Sequence, residues 1–368
     1  MSRPFPIHDN TVRGFLLGAI VSWLLLAGAE RAAVWIETTH LADPAEPGAF
    51  DPPHPHLLWE LPPGETVVNG QQITVNRVGA RGPEIRQPKP QNVRRILFLG
   101  GQTMFGQGVD LEDTFAFDAV DNLGGARVGL EPVMMAVPDY TALQNLNLMD
   151  LRGWSLEPDL LVVSGPAAEM SVQPYVDAKV LAPVVEPDGP RAALQRFAMF
   201  RVLDRWANLN RNDRAKERHA VFLAGDNRNP SGALRMSTNA YATSLDRLAL
   251  RAIERGIPVV FVLMPVIEDL SEQHLTDTVH LYRNAMNVVA RRHGIPVIDG
   301  AAVFRASNRQ TGQLFLNPTL LTRRGHRALG YALTKAIKPW MRGRAISKPG
   351  TGEPLGSLPE PEPMTDAL

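Results

Sequence analysis

"RRILFLGGQTMFGQGVDLEDTF", residues 94–115, decides the fold. An apolar run from Ile96 to Leu99 meets Gly100 and Gly101 and then the start of a helical pattern. A short apolar run closed by glycine reads as a buried strand, and the turn from such a strand into a helix is where an α/β fold exposes function. Working outward, "PVMMAV", "DLLVVSG", "IPVVFVLMP" and "IPVID" read as further strands. Between them, "SLDRLALRAIERG" and "LYRNAMNVVARRHG" show helical periodicity, and each ends at a glycine followed by Ile-Pro, a helix stop that feeds a strand. This alternation predicts an α/β fold with a mostly parallel central sheet.

Three chemistries use a glycine-closed strand-to-helix turn. A phosphate loop needs Gly-Lys-Ser or Gly-Lys-Thr after a four-residue gap; Gly101 and Gly106 have the gap, but Gln107 and Gly108 stand where lysine and the hydroxyl belong. A dinucleotide fingerprint needs Gly-x-Gly-x-x-Gly, a spacing that Gly100, Gly101 and Gly106 do not have. The third use is to present a nucleophile, with a catalytic pair arriving near the C-terminus.

For that third use the stretch resembles the SGNH (GDSL-type) hydrolase family, and the resemblance runs from Trp59 to Ile337. The family carries Gly-Asp-Ser here, which puts its serine on Gln102 and its aspartate on Gly101. The second block, Gly-Val-Pro-Gly-Tyr, matches Ala136-Val137-Pro138-Asp139-Tyr140, so the glycine whose N–H serves the oxyanion hole falls on Ala136. The third, Gly-x-Asn-Asp, matches Gly165-Pro166-Ala167-Ala168, which puts the side-chain oxyanion donor on Ala167. The last matches "NPTLLTRRGH", with the triad aspartate on Asn317 and the general base on Leu320; His326 takes the place of the family's second, structural histidine. The resemblance implies an SGNH-hydrolase-like three-layer fold and no cofactor or metal.

Serine hydrolysis needs a hydroxyl beside a base, a carboxylate that orients the base, and donors aimed at the oxyanion. Gln102, Leu320 and Asn317 supply none of the triad chemistry, and loss of a nucleophile or base typically costs on the order of 10⁶ in kcat. The sequence therefore leads to the expectation of a degenerate, catalytically inactive member, a pseudoenzyme with no catalytic residue at Gln102, Ala136, Ala167, Asn317 or Leu320. Its expected role is that of a structural or docking subunit of an extracytoplasmic membrane or envelope assembly. Two alternatives stay open. One is an esterase or acyltransferase on cell-surface glycan acyl groups with relocated residues that the sequence does not identify; Ser164 and Glu169 edge the cleft, but no histidine or lysine has an obvious route to Ser164. The other is a glycan-binding protein in which Gln102 and Asn317 donate hydrogen bonds. Glu268-Asp269 reads as solvated loop rather than an acid pair. His54, His56, His274, His280 and His293 read as loop, surface or boundary residues.

The N-terminus sets the location. Gly14 to Ile36 is apolar enough for one transmembrane helix, with Arg3 and Arg13 before it and Glu37, Asp43, Glu46 and Asp51 after it. The positive-inside bias then places residues 1–13 in the cytoplasm and the main domain in the periplasm, with 14–36 as a single-pass inner-membrane anchor. Ala27-Gly28-Ala29 also fits a signal-peptide cleavage site; a retained anchor is the preferred reading. Residues 37–63 form a proline-rich spacer, 64–342 the SGNH-like domain with an insertion at about 171–230, and 343–368 a disordered tail. The 368 residues balance 38 Lys and Arg against 38 Asp and Glu, so no overall positive field favours nucleic acid. The expected partners are the membrane, other proteins of the assembly and, in the alternatives, a glycan. There is no cysteine, which removes disulfides, thiolate nucleophiles and Cys-ligated zinc.

Overall fold

The structure is a computed structural model that describes residues 9–39, 56–166, 168–173, 176–181, 233–270 and 277–343, together with 184, 194, 197–200, 202 and 203. It divides into two units, one made of residues 1–44 and 185–215, the other of 45–184 and 216–368.

The first unit is built on helix α1, Asp9–Thr39. Within it Leu17–Ile36, 20 residues, is long and apolar enough to cross a membrane. Trp23, Leu24, Leu25, Leu26 and Trp35 are exposed along it. Residues 185–215 group with α1 in this unit. Within it the Glu30 carboxylate accepts the backbone N–H groups of Ala198 and Met199 at 2.5 and 3.0 Å.

In the second unit, β1 (Gly64–Val68) and β2 (Gln71–Val75) pair antiparallel. Asn69 and Gly70 between them both have positive φ, the backbone that a two-residue hairpin requires. The core is a five-stranded parallel sheet of β3 (Arg94–Leu99), β4 (Leu130–Met134), β5 (Leu160–Gly165), β6 (Val259–Leu263) and β7 (Val297–Asp299), in the order β4-β3-β5-β6-β7. Every residue of β5 and β6 is buried, as a sheet covered on both faces requires.

β4 lies to one side of β3 and β5 to the other, so right-handed crossovers send α3 (Phe115–Asn122) and α4 (Ala142–Leu148) to opposite faces. On one face α3 packs on the last helix, here α10 (Arg323–Met341). They meet at Gly330, where a Cβ would come within 2.2 Å of the Asp118 carboxylate. On the other face α4 packs on α6 (Thr238–Glu254), and α6 on α7 (Asp277–His293). The shorter helices are α2 (Gln102–Phe105), α5 (Asp177–Val180), α8 (Gly300–Ala306) and α9 (Thr311–Leu314). The result is the α/β fold with a parallel central sheet that the sequence predicts.

Two buried arginines hold loops to this core. Arg95 on β3 donates from Nε to Glu131 of β4 at 2.6 Å and from its other nitrogens to the carbonyls of Leu156 and Arg86. Arg235 closes the base of the inserted segment, where Val172 and Leu234 form a β-bridge. Its Nε donates to Asp177 at 2.7 Å, its other nitrogens reach the Asp139 carbonyl and Gln144, and its guanidinium stacks 5.0 Å from the Trp59 ring. Asp177 also accepts from the Thr141 hydroxyl at 2.5 Å. Removing one partner of a buried ion pair strands the other charge, which typically costs about 3–5 kcal/mol. Arg235→Met is therefore expected to lower the urea midpoint of the full-length protein strongly, and Arg235→Met with Asp177→Leu to recover much of the loss; equal midpoints for wild type and the single variant would show that the pair does not hold the base of the insertion.

Candidate active site

The turn after β3 is built on close contacts. Gly100 has φ of +156°, and a Cβ there would lie 2.0 Å from the Ser164 hydroxyl. Gly101 caps α2, and Gly106 ends it in the left-handed region. A Cβ at Gly106 would meet Thr114 at 2.2 Å, so both glycines are needed for approach as well as for dihedral angle. Arg81, almost fully buried, donates to the carbonyls of Phe105, Gly106 and Val109 at 2.7, 3.0 and 2.9 Å and so satisfies the end of this four-residue helix.

The matched positions gather at this turn. Gln102 opens α2, half-buried, with its Oε1 left without a hydrogen-bond partner among the described residues. Ala136 is fixed beside the turn, because the next residue, Val137, donates its N–H to the Gly100 carbonyl at 3.2 Å. The Thr103 hydroxyl donates to the Thr319 carbonyl at 3.0 Å and pins the loop that holds Asn317 and Leu320. Asn317 turns its Oδ1 back on that loop, accepting from the N–H groups of Leu320 and Thr319 at 2.7 and 3.0 Å. Leu320 lines a cavity of about 680 Å³ beside the turn, together with Gln71, Gln107, Asp110, Asp113 and Arg323. Gln102, Ala136, Asn317 and Leu320 thus lie together; Ala167 falls outside the described residues.

His326 is buried on α10, where Nδ1 accepts the Phe115 N–H at 3.2 Å and the ring stacks on Phe115 at 5.9 Å. Burial first, and the Arg81 charge second, push its pKa down to about 3. This histidine joins α10 to α3.

Sequence reasoning missed how near Ser164 comes to the turn. Its hydroxyl arrives from β5, only 8% exposed, against Gly100 and 3.5 Å from the Leu99 carbonyl. The two strands concerned, β3 and β5, flank the point where the strand order reverses, the place in open α/β sheets where ligands bind. Glu169, also buried, follows β5 and accepts the N–H of Ala142, the first residue of α4, at 2.8 Å. The other sequence candidates lie elsewhere. Asp269 is held by Arg283 through two bonds of 2.7 Å and accepts the Val266 N–H, so it forms an ion pair rather than half of an acid pair. His293 pairs with Asp246 at 2.7 Å. His280 lines a separate pocket with Arg283 and Asp299. His54 and His274 lie outside the described residues, within which no group of three or more His, Asp or Glu is placed to hold a metal ion.

No family model matches this chain, and no curated protein matches it. Solved structures do. A G-D-S-L family protein from Desulfitobacterium hafniense DCB-2 is 12% identical, with 66% of this chain and 98% of that one covered and a TM-score of 0.40. Axe2, an acetylxylan esterase from Geobacillus stearothermophilus, is 12% identical, with 69% and 96% covered and a TM-score of 0.41. A two-domain esterase active on acetylated mannans is 10% identical, with 74% and 53% covered and a TM-score of 0.41. At these identities the likeness is one of fold. Against the expectation that this chain is not an enzyme, these neighbours are esterases and a G-D-S-L protein. No described residue shows inactivity. The substitutions at 102, 317 and 320 concern matched positions only, while a hydroxyl from another strand reaches the same turn.

The environment of His326 sets a pH dependence. Between about pH 6.5 and about 3 the unfolded chain takes up a proton at this residue and the folded chain does not. Its contribution therefore weakens stability as pH falls through that window, by at most about 1.4 kcal/mol per unit, and is flat above it. His326→Leu is expected to lower stability at pH 7, because the buried Phe115 N–H loses its acceptor, and also to flatten the slope between pH 6 and 4. Parallel slopes for wild type and variant in urea titrations across that range would mean that His326 is protonated in the fold.

Proposed function

We propose that this protein is a membrane-anchored hydrolase that acts on acyl esters of glycans outside the cytoplasm, with Ser164 as nucleophile. The observation that carries this reading is the position of the Ser164 hydroxyl against Gly100, between β3 and β5 at the reversal of strand order. In this reading Ser164 Oγ attacks the acyl carbonyl, an acyl-serine forms as the glycan hydroxyl leaves, and water then releases the acid and restores the serine. Glu169 takes the serine proton and returns it to the leaving oxygen. The cavity beside the same turn, which Ser164 and Glu169 do not line, carries in Gln71, Gln107, Asp110, Asp113 and Arg323 polar groups of the kind that sugar hydroxyls need. The asymmetry of charge around α1, with Arg3 and Arg13 before it and acidic residues after it, supports an N-terminus in the cytoplasm and a catalytic unit on the other side.

The test is acetate release from acetylated xylan and mannan oligosaccharides by the full-length protein in mild detergent. Wild type is expected to release acetate. Ser164→Ala should fall to background, in keeping with the roughly 10⁶-fold loss typical of a missing nucleophile, and Glu169→Gln should follow it. Gln102→Ala should keep most of the rate. No release by wild type, or undiminished release by Ser164→Ala, would sink the proposal.

A further inference from the structure

Glu30 has no part in the site described above, yet it is costly where it stands. It lies inside Leu17–Ile36, and an ionisable group within a span is expensive unless paired. Its carboxylate is met by two backbone N–H groups from a segment more than a hundred and fifty residues away, those of Ala198 and Met199. Glu30 and Ala33 are three residues apart and share one face of α1. Ala33 and Ala198 are both buried, small residues of the kind that let two backbones approach inside a membrane.

Depth follows from helix geometry. At about 1.5 Å per residue Glu30 is roughly 9 Å short of Ile36, so the N–H groups that meet it lie at that level of the span. Ala198, Met199, Phe200, Val202 and Leu203 are helical, the state that satisfies backbone groups where water is scarce. Leu194, Phe197 and Leu203 are 45%, 54% and 56% exposed, and this apolar surface belongs to the same unit as the exposed Trp35 of α1. In the sequence Arg191, Arg196, Arg201 and Arg205 interleave with these apolar residues, a mixture of cationic and apolar side chains that suits a lipid surface.

The geometry points to a second membrane-contacting element: the segment containing Leu194, Ala198–Phe200 and Leu203, held by Glu30, lies at the boundary of acyl chains and headgroups, with Phe197 and Leu203 against lipid. This inference rests on α1 being an anchor, and the experiment separates the two. Because the chain has no cysteine, single cysteines at Leu25, Phe197, Leu203 and Leu250 can each carry an environment-sensitive fluorophore on the full-length protein. The labelled proteins are placed in vesicles of phosphatidylethanolamine and phosphatidylglycerol, with and without spin-labelled lipid as quencher. Quenching at 25, 197 and 203, with none at 250 on α6, is the expected result. Quenching at 25 while 197 and 203 behave like 250 overturns the second contact alone; no quenching at 25 overturns the anchor and the contact together. Glu30→Leu should abolish quenching at 197 and 203 and keep it at 25, and persistence at 197 and 203 would show that Glu30 does not hold the segment.

Discussion

The Arg81 guanidinium, seated on the carbonyls of Phe105, Gly106 and Val109, is the contact on which the site depends. A helix of four residues cannot stand on its own hydrogen bonds, because nucleation costs more than one turn returns. α2 stands because its end is capped by a charge brought from elsewhere. The same residue donates its own N–H to the Met134 carbonyl at 2.9 Å, at the end of β4, and forms a bridge with Val75 after the hairpin. One residue thus ties the hairpin and the β4 edge through its backbone, and the turn after β3 through its side chain, into a single body. Its guanidinium packs 4.9 Å from the Phe105 ring and is mostly out of water. Burial pushes its pKa down, while Asp110 and Glu112 of the loop after α2 push it back up.

The opposite side of the turn is held in a different way. There Arg235 and Asp177 form a desolvated pair, with Gln144, Thr141 and the ring of Trp59 filling out the network. A pair of this kind contributes less to stability than to the choice of one arrangement over others. It fixes the two ends of the inserted segment on the α/β unit, where Val172 and Leu234 form a bridge. Glu169, on the stretch that Arg235 borders, is placed by the same closure, since Met236 donates its N–H to the Glu169 carbonyl at 3.3 Å.

Much of this architecture was legible in the sequence, and the reasons are local. Apolar runs closed by glycine or led by Ile-Pro give strands, and Asn69-Gly70 gives the hairpin, because each depends on neighbours within a few residues. The gathering of Gln102, Ala136, Asn317 and Leu320 was legible through resemblance, although hundreds of residues separate the ends of that set. The buried arginines were not. Arg81, Arg95 and Arg235 read as surface residues in any window, and only the fold shows that carbonyls and carboxylates converge on each of them. Glu30 was hidden for the same reason, since its partners are backbone groups about 170 residues on.

The inference of inactivity failed at a definable step. A matched position tests whether a residue type is kept at one point on the chain, whereas chemistry needs a group at one point in space. Gly100 separates the two ideas. Any side chain there would overlap the Ser164 hydroxyl, so the glycine keeps open an approach between the β3 turn and a neighbouring strand that no alignment of single positions registers. Gln102 carries no hydroxyl, and Ser164 brings one to the same turn. What Gly100 admits is a hydroxyl on a fully buried strand, fixed by pairing of Leu99 with Val163 and of Ser164 with Val262. A group held by two strand registers is more tightly positioned than one on a loop, and positioning of that kind is what the nucleophilic role proposed for Ser164 requires.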